Sequence, residues 1–127
     1  MKENKLTIFI NKPVSEVFEY SLESNNVPKW ITSIKEEIPS ERPVRVGTQL
    51  KNIGVNSSNW NYYEVTEFEQ DKTFSLKMLN GDCFVKYTCT AKDGGTEFEY
   101  LEWANGELEE LMEMSALELL KELIENQ

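Results

Sequence analysis

The stretch Glu107–Glu125, ELEELMEMSALELLKELIE, carries apolar residues at helical spacing and predicts one long amphipathic helix. At roughly 1.5 Å per residue this helix would be about 28 Å long. Asn105 precedes it as a candidate N-cap. Nearly everything upstream has the pattern of short strands, so we expect the helix to lie across a curved antiparallel sheet. The residues of its apolar face are Leu108, Leu111, Met112, Ala116, Leu119, Leu120 and Leu123.

Three further apolar residues of this stretch, Met114, Leu117 and Ile124, lie away from that face. One interpretation is that they pack under the N-terminal helices or an edge of the sheet. The alternative is a self-association surface, which would make the protein a homodimer.

The rest of the chain has signals for one strand, two short helices and six more strands. The turn sequences Asn80-Gly81-Asp82 and Asp93-Gly94-Gly95 predict tight hairpins, and consecutive strands joined in this way form an antiparallel meander. We therefore expect a single α+β domain spanning residues 1–127. The predicted helices are 13–22 and a shorter one ending at Trp30, and the predicted strands are 6–10, 34–38, 46–53, 60–68, 73–79, 83–91 and 96–103.

The composition excludes several classes of function. The chain of 127 residues has a formal net charge of −10 and no histidine, which argues against binding to nucleic acid or to an anionic membrane surface. No apolar run approaches the ~20 residues of a membrane span, so we expect no stable membrane insertion. Cys83 and Cys89 fall on one strand about 20 Å apart, too far to form a disulfide. Free thiols predict a cytoplasmic location.

Several short segments together resemble one known superfamily. The set resembles the START-like superfamily, also called SRPBCC, and within it the polyketide cyclase/dehydrase branch. The resemblance covers the whole chain, and it rests on the order of its parts. These are residues 7–20 (TIFINKPVSEVFEY), Trp30, Val46-Gly47-Thr48, residues 63–68 followed by Phe74, Gly94-Gly95-Thr96 and residues 120–125.

The resemblance implies a helix-grip fold, in which a curved sheet of about seven strands wraps a long C-terminal helix and two short helices follow the first strand. A pocket lies between sheet and helix. Members of the superfamily bind lipids, sterols, hormones, quinones or polyketides there. Some are cyclases or hydrolases, and some activate a chaperone ATPase.

A curved sheet cannot touch a straight helix along its full length, so one end should stay open as a ligand pocket. Aromatic side chains with hydroxyl tips, together with methionines, suit an apolar ligand that carries one or two polar atoms. The alternative for each of these residues is that it fills the core. The candidate ligand-binding residues are Trp30, Tyr63, Phe74, Met78, Tyr87, Phe98, Tyr100, Leu108, Met112 and Ser115.

The sequence contains no complete catalytic set. Without histidine, the one candidate for acid–base chemistry is Glu102, if it points inward beside Tyr100. Two distant cysteines without histidine give no zinc spacing, and no cofactor motif is present.

Three functions therefore stand as hypotheses. The first is the binding of a small apolar or amphipathic molecule in the pocket. The second is a cyclase/dehydrase-like enzyme, which an inward carboxylate facing an open cavity would favour. The third is a chaperone-activator-like interaction domain, which a filled core would favour.

Overall fold

A computed structural model describes residues 1–108 and 110–127. The described chain forms three helices and seven strands. The helices are α1 (Val14–Leu22), α2 (Val27–Trp30) and α3 (Met114–Glu125). The strands are β1 (Lys2–Ile10), β2 (Ile34–Pro39), β3 (Gln49–Gly54), β4 (Trp60–Glu69), β5 (Thr73–Met78), β6 (Phe84–Lys92) and β7 (Gly95–Ala104).

The seven strands form one antiparallel sheet in the order β1-β7-β6-β5-β4-β3-β2. The first strand pairs with the last over its whole length, from Lys2 opposite Ala104 to Ile10 opposite Thr96. The sheet curls into a half-barrel whose concave face holds α3 and the two short helices. The predicted α+β helix-grip fold is thereby confirmed.

The C-terminal helix is shorter than predicted, since it begins at Met114 and has Glu113 as its N-cap residue. The described residues between Asn105 and Glu113 are not helical, and Glu109, which the predicted helix includes, lies outside the described residues. We call residues 105–108 and 110–113 the connecting segment. Its start is fixed by Asp82, which accepts hydrogen bonds from the backbone N–H groups of Asn105 and Gly106 at 3.0 and 2.9 Å. Asn105 is therefore not the N-cap.

The predicted apolar face of this helix is also rotated from the observed one. Leu117, Leu120 and Ile124 are completely buried, whereas Leu111 is 55% exposed. The interpretation of Leu117 and Ile124 as a self-association surface is wrong, because both belong to the core of a single chain. Their packing beneath α1, α2 and β1 corresponds to the other interpretation.

Strand β3 begins at Gln49, three residues later than the predicted start. Gly47 has a φ of +94°, in the left-handed region that favours glycine, and it belongs to a turn. Its N–H donates to the carbonyl of Val65. The turn sets the entry of the chain into the sheet.

Replacing Leu117 by Ala should lower the free energy of unfolding by about 2–5 kcal/mol, because the change leaves a cavity in a fully buried site. Leu111→Ala is the matched control, and we expect it to change stability by no more than about 0.5 kcal/mol. Urea unfolding monitored by circular dichroism measures both. A larger loss at Leu111 than at Leu117 would show that the helix buries the face predicted from the sequence.

Candidate functional site

A cavity of about 850 Å³ lies between the concave side of the sheet and the connecting segment. Tyr63 on β4, Met78 on β5 and Tyr100 on β7 form its floor. Met112 of the connecting segment and Ala116 at the start of α3 cover it from the other side. The chain reaches α3 through the connecting segment, which is not helical where the structure describes it and which lines the cavity.

Six of the ten predicted ligand-binding residues line this cavity: Tyr63, Met78, Tyr100, Leu108, Met112 and Ser115. The other four, Trp30, Phe74, Tyr87 and Phe98, are not among its lining residues and belong to the packed core. Trp30 is completely buried and meets Tyr87, Phe98 and Tyr100 edge to face, with ring centroids 5.9, 6.1 and 6.5 Å away. Its indole Nε1 has no hydrogen-bond partner among the described residues.

Glu102 points inward from β7, two residues after Tyr100, and it lines the cavity while only 5% exposed. Its Oε2 accepts hydrogen bonds from the backbone N–H of Met112 at 2.6 Å and from the Asn4 amide at 2.8 Å. The same amide nitrogen of Asn4 donates to the carbonyl of Met112 at 3.0 Å. This cluster ties β1, β7 and the connecting segment together beside the cavity.

The structure contains a second buried carboxylate, Glu37 on β2, which was not predicted from the sequence. It is 8% exposed and accepts hydrogen bonds from the Ser24 hydroxyl at 2.9 Å and from the Asn52 amide at 3.4 Å. Burial raises the pKa of Glu37 to about 7, against the smaller opposing effect of its two hydrogen bonds. Simple alternation from Ile34 would place Ile38 inward, but a register shift between Ile34 and Glu36 brings Glu37 inside.

Comparison with known proteins assigns the chain to a family. The sequence profile described as "polyketide cyclase / dehydrase and lipid transport" matches residues 1–125. The chain belongs to this family. The predicted membership of the START-like superfamily is thus confirmed, and a search of curated proteins finds no match.

Solved structures similar to this family member share its fold at low sequence identity. Protein NE0264 from Nitrosomonas europaea has a TM-score of 0.78 and 12% identity, covering 98% of this chain and 94% of its own. Ara h 8.0201 has a TM-score of 0.68 and 13% identity, covering 99% of both chains. The Aha1 dimer from Colwellia psychrerythraea has a TM-score of 0.64 and 15% identity, covering 99% of this chain and 91% of its own. These structures show that the fold is shared, and the family description supports a ligand-binding domain.

The thiols of this family member are not set up as nucleophiles. Burial raises the pKa of Cys89 to about 12. Cys83 lines the cavity, and burial followed by the negative charges of Glu102 and Asp82 raises its pKa as well. Since the thiolate is the reactive form, neither cysteine is activated. Among the described residues no group of acidic or cysteine side chains is arranged to hold a metal ion, and no helix there is long and apolar enough to cross a membrane.

A smaller cavity of about 470 Å³ lies at the other side of Glu37, near α1. Phe18, Leu22 and Phe68 supply apolar surface, and the ion pair of Arg42 with Glu23 lies at its edge. Because Ser24 lines this cavity and Asn52 lines the larger one, the Ser24–Glu37–Asn52 hydrogen bonds connect the walls of the two. The family resemblance implies only one pocket, so this second space is a feature that the sequence does not signal.

The free energy of unfolding of Glu37→Gln, measured relative to the wild type, should be higher at high pH than at low pH. The pKa of Glu37 is raised in the folded state from an ordinary value of 4.5 to about 7, so the folded protein holds this proton more tightly than the unfolded chain does. The stabilisation that this proton provides is complete below pH 4.5 and is lost as the pH rises to about 7. Relative to Glu37→Gln, the wild type should lose about 3 kcal/mol of unfolding free energy across that window.

Urea unfolding of both proteins at about pH 5 and about pH 8 measures this difference. Taking the difference between the two proteins cancels the titration of the other carboxylates. Glu36→Gln, at the exposed neighbouring position, is the control and should show no pH-dependent difference from the wild type. A pH-independent difference for Glu37→Gln would contradict the raised pKa.

Proposed function

We propose that the protein binds one small apolar or amphipathic molecule, such as a lipid or a polyketide, in the larger cavity. The observation that carries this proposal is the cavity of about 850 Å³ between the sheet and the start of α3. Volumes of roughly 300–1,000 Å³ are typical of small-molecule sites. Membership of a family described as polyketide cyclase / dehydrase and lipid transport supports the same class of ligand.

The lining of the cavity suits such a ligand. Met78, Val85 and Met112 offer apolar surface, and methionine side chains adapt to ligands of different shape. Tyr63 and Tyr100 combine an aromatic face with a hydroxyl group that can bond to a polar atom of the ligand. Burial raises the pKa of Tyr63 to about 12, so its hydroxyl remains a donor at neutral pH.

A second candidate function is enzymatic. Glu102 is an inward carboxylate that faces an open cavity, the arrangement that favours a cyclase/dehydrase-like reaction. In such a reaction the cavity orients a flexible carbonyl chain, and Glu102 moves a proton to or from it. The open cavity gives no corresponding support to the chaperone-activator hypothesis, which a filled core would favour.

As part of the proposal we place the protein in the cytoplasm, because Cys83 and Cys89 are both free thiols.

The main proposal predicts that an apolar fluorescent probe binds inside the cavity and that filling the cavity prevents it. N-phenyl-1-naphthylamine is a suitable neutral probe. Ala116→Trp places a large side chain in the wall of the cavity, so we expect roughly tenfold weaker binding of the probe. Glu118→Trp is the control, because it adds the same side chain at an exposed position of the same helix and should leave binding unchanged.

Fluorescence titration measures both variants, and native mass spectrometry of the protein purified from its host identifies any retained compound. Equal probe affinity in Ala116→Trp, Glu118→Trp and the wild type would place the probe outside the cavity. A protein that retains nothing and does not bind the probe would contradict the binding function.

Glu102→Gln separates the two candidate functions. If Glu102 moves protons, the variant should still bind the compound identified by mass spectrometry but should convert it about a hundredfold more slowly than the wild type, a typical contribution of general acid–base catalysis. Liquid chromatography with mass detection follows the conversion. A wild-type protein that leaves the compound chemically unchanged would exclude the enzymatic hypothesis for that compound.

A further inference from the structure

The larger cavity has an unbalanced charge distribution. Among the described residues, its lining includes no lysine or arginine. It does include the carboxylates of Asp82, Glu102, Glu107, Glu110 and Glu113. None of the five forms a salt bridge with a described residue. Lys51, on the strand that carries the lining residue Asn52, lies over the ring of Trp60 and is not a lining residue itself.

The five carboxylates do not have the same surroundings. Asp82 is committed to the fold, because both of its oxygens accept hydrogen bonds from Asn105 and Gly106. Glu107, Glu110 and Glu113 are exposed at the mouth of the cavity. Glu102 differs from all of these, because it is buried inside the cavity wall.

Glu102 is the group that points to a ligand. Its two hydrogen bonds both fall on Oε2, and its Oε1 accepts none from the described residues. Because both donors bond to Oε2, the other carboxylate oxygen keeps its capacity to accept a hydrogen bond from a ligand. A buried charge is normally paired with an opposite charge, and here no cation of the described chain supplies one.

One feature of the fold acts in the opposite direction. The N-terminus of α3 faces the cavity through Ser115 and Ala116, and a helix N-terminus attracts anions. Its effect equals about half a positive charge, whereas Glu102 and the three glutamates at the mouth carry up to four negative charges. The negative charge of Glu113, at the N-cap position itself, already offsets the positive end of the helix dipole. The net field in the cavity is therefore negative.

We propose that the ligand is a cationic amphiphile, an apolar molecule with a protonated amine or a quaternary ammonium group, and that its charge binds beside Glu102. This inference rests on the proposed function and adds the charge of the ligand to it. The faces of Tyr63 and Tyr100 supply further attraction, because aromatic rings attract cations. The same field rejects free fatty acids and other anionic lipids.

Three ligands with the same ten-carbon tail test the inference: decylamine and decanoate below their micelle concentrations, and decanol below its solubility limit. Isothermal titration calorimetry at neutral pH should show decylamine binding at least about tenfold more tightly than decanol, and decanoate at least about tenfold more weakly. The preference for decylamine should fall as salt is added, because part of it comes from the exposed glutamates.

Glu102→Gln should reduce the ratio of decylamine to decanol affinity severalfold. Glu99→Gln is the matched control, because it removes one charge from the same strand at a position that faces away from the cavity and pairs with Lys5. This control should leave the ratio unchanged. The double variant Glu107→Gln/Glu110→Gln, in which both positions are exposed, should lower the ratio as well and provides the test should Glu102→Gln not fold.

Failure of this inference is distinguishable from failure of the proposed function. Equal binding of decylamine and decanol, or tightest binding of decanoate, would overturn the cationic ligand while leaving a binding cavity. An equal fall of the decylamine-to-decanol affinity ratio in Glu99→Gln and Glu102→Gln would assign the preference for decylamine to net charge and overturn the role of the cavity. No binding of any of the three, combined with no binding of the naphthylamine probe, would overturn the proposed function itself.

Discussion

The hydrogen bonds between Glu102, Met112 and Asn4 are the constraint on which the shape of the ligand-binding region depends. Glu102 and Asn4 are directly opposite each other on β7 and β1, and both hold the backbone of Met112. A hydrogen bond to a charged group contributes roughly 1.5–3 kcal/mol, enough to outweigh the modest helix propensity of a few residues. The described residues of the connecting segment therefore stay outside the helix, which begins only at Met114, and the cavity lies beside them.

The parts of the fold that were predictable from the sequence are those set by short-range patterns. Alternation along 96–103 places Phe98 and Tyr100 inward, and the same alternation carries Glu102 to the inner face. The turn sequences Asn80-Gly81-Asp82 and Asp93-Gly94-Gly95 fix the hairpins that order β5, β6 and β7, and the tendency of consecutive strands to pair extends this order to β4, β3 and β2. The amphipathic pattern and the family resemblance both predict a C-terminal helix across the sheet. The pairing of β1 with β7 was not predicted, because it joins strands from opposite ends of the chain.

The parts that were not predictable depend on contacts between distant residues. Residues 107–113 have a helical pattern, but Glu102 accepts a hydrogen bond from the backbone N–H of Met112, and Asp82 holds Asn105 and Gly106 just before this stretch. These contacts join residues 10, 23 and 24 positions apart, and no local pattern records such partners. Glu37 becomes buried only because of a register shift in β2. Whether an aromatic residue lines the cavity or fills the core, as for Tyr100 against Tyr87, depends on the curvature of the sheet.

The two roles considered for Glu102 make opposite demands on it. Binding a cation requires the ionised carboxylate, and a bound cation would stabilise that form further. Donating a proton to a carbonyl chain requires the protonated acid, in a cavity that offers no positive side chain among its described residues to stabilise a developing negative charge. Acting as a base remains compatible with the ionised form, but the enolate or alkoxide that results would again meet the carboxylates at the mouth. The electrostatics of the cavity therefore favour retention of a cationic ligand over chemistry that generates an anion.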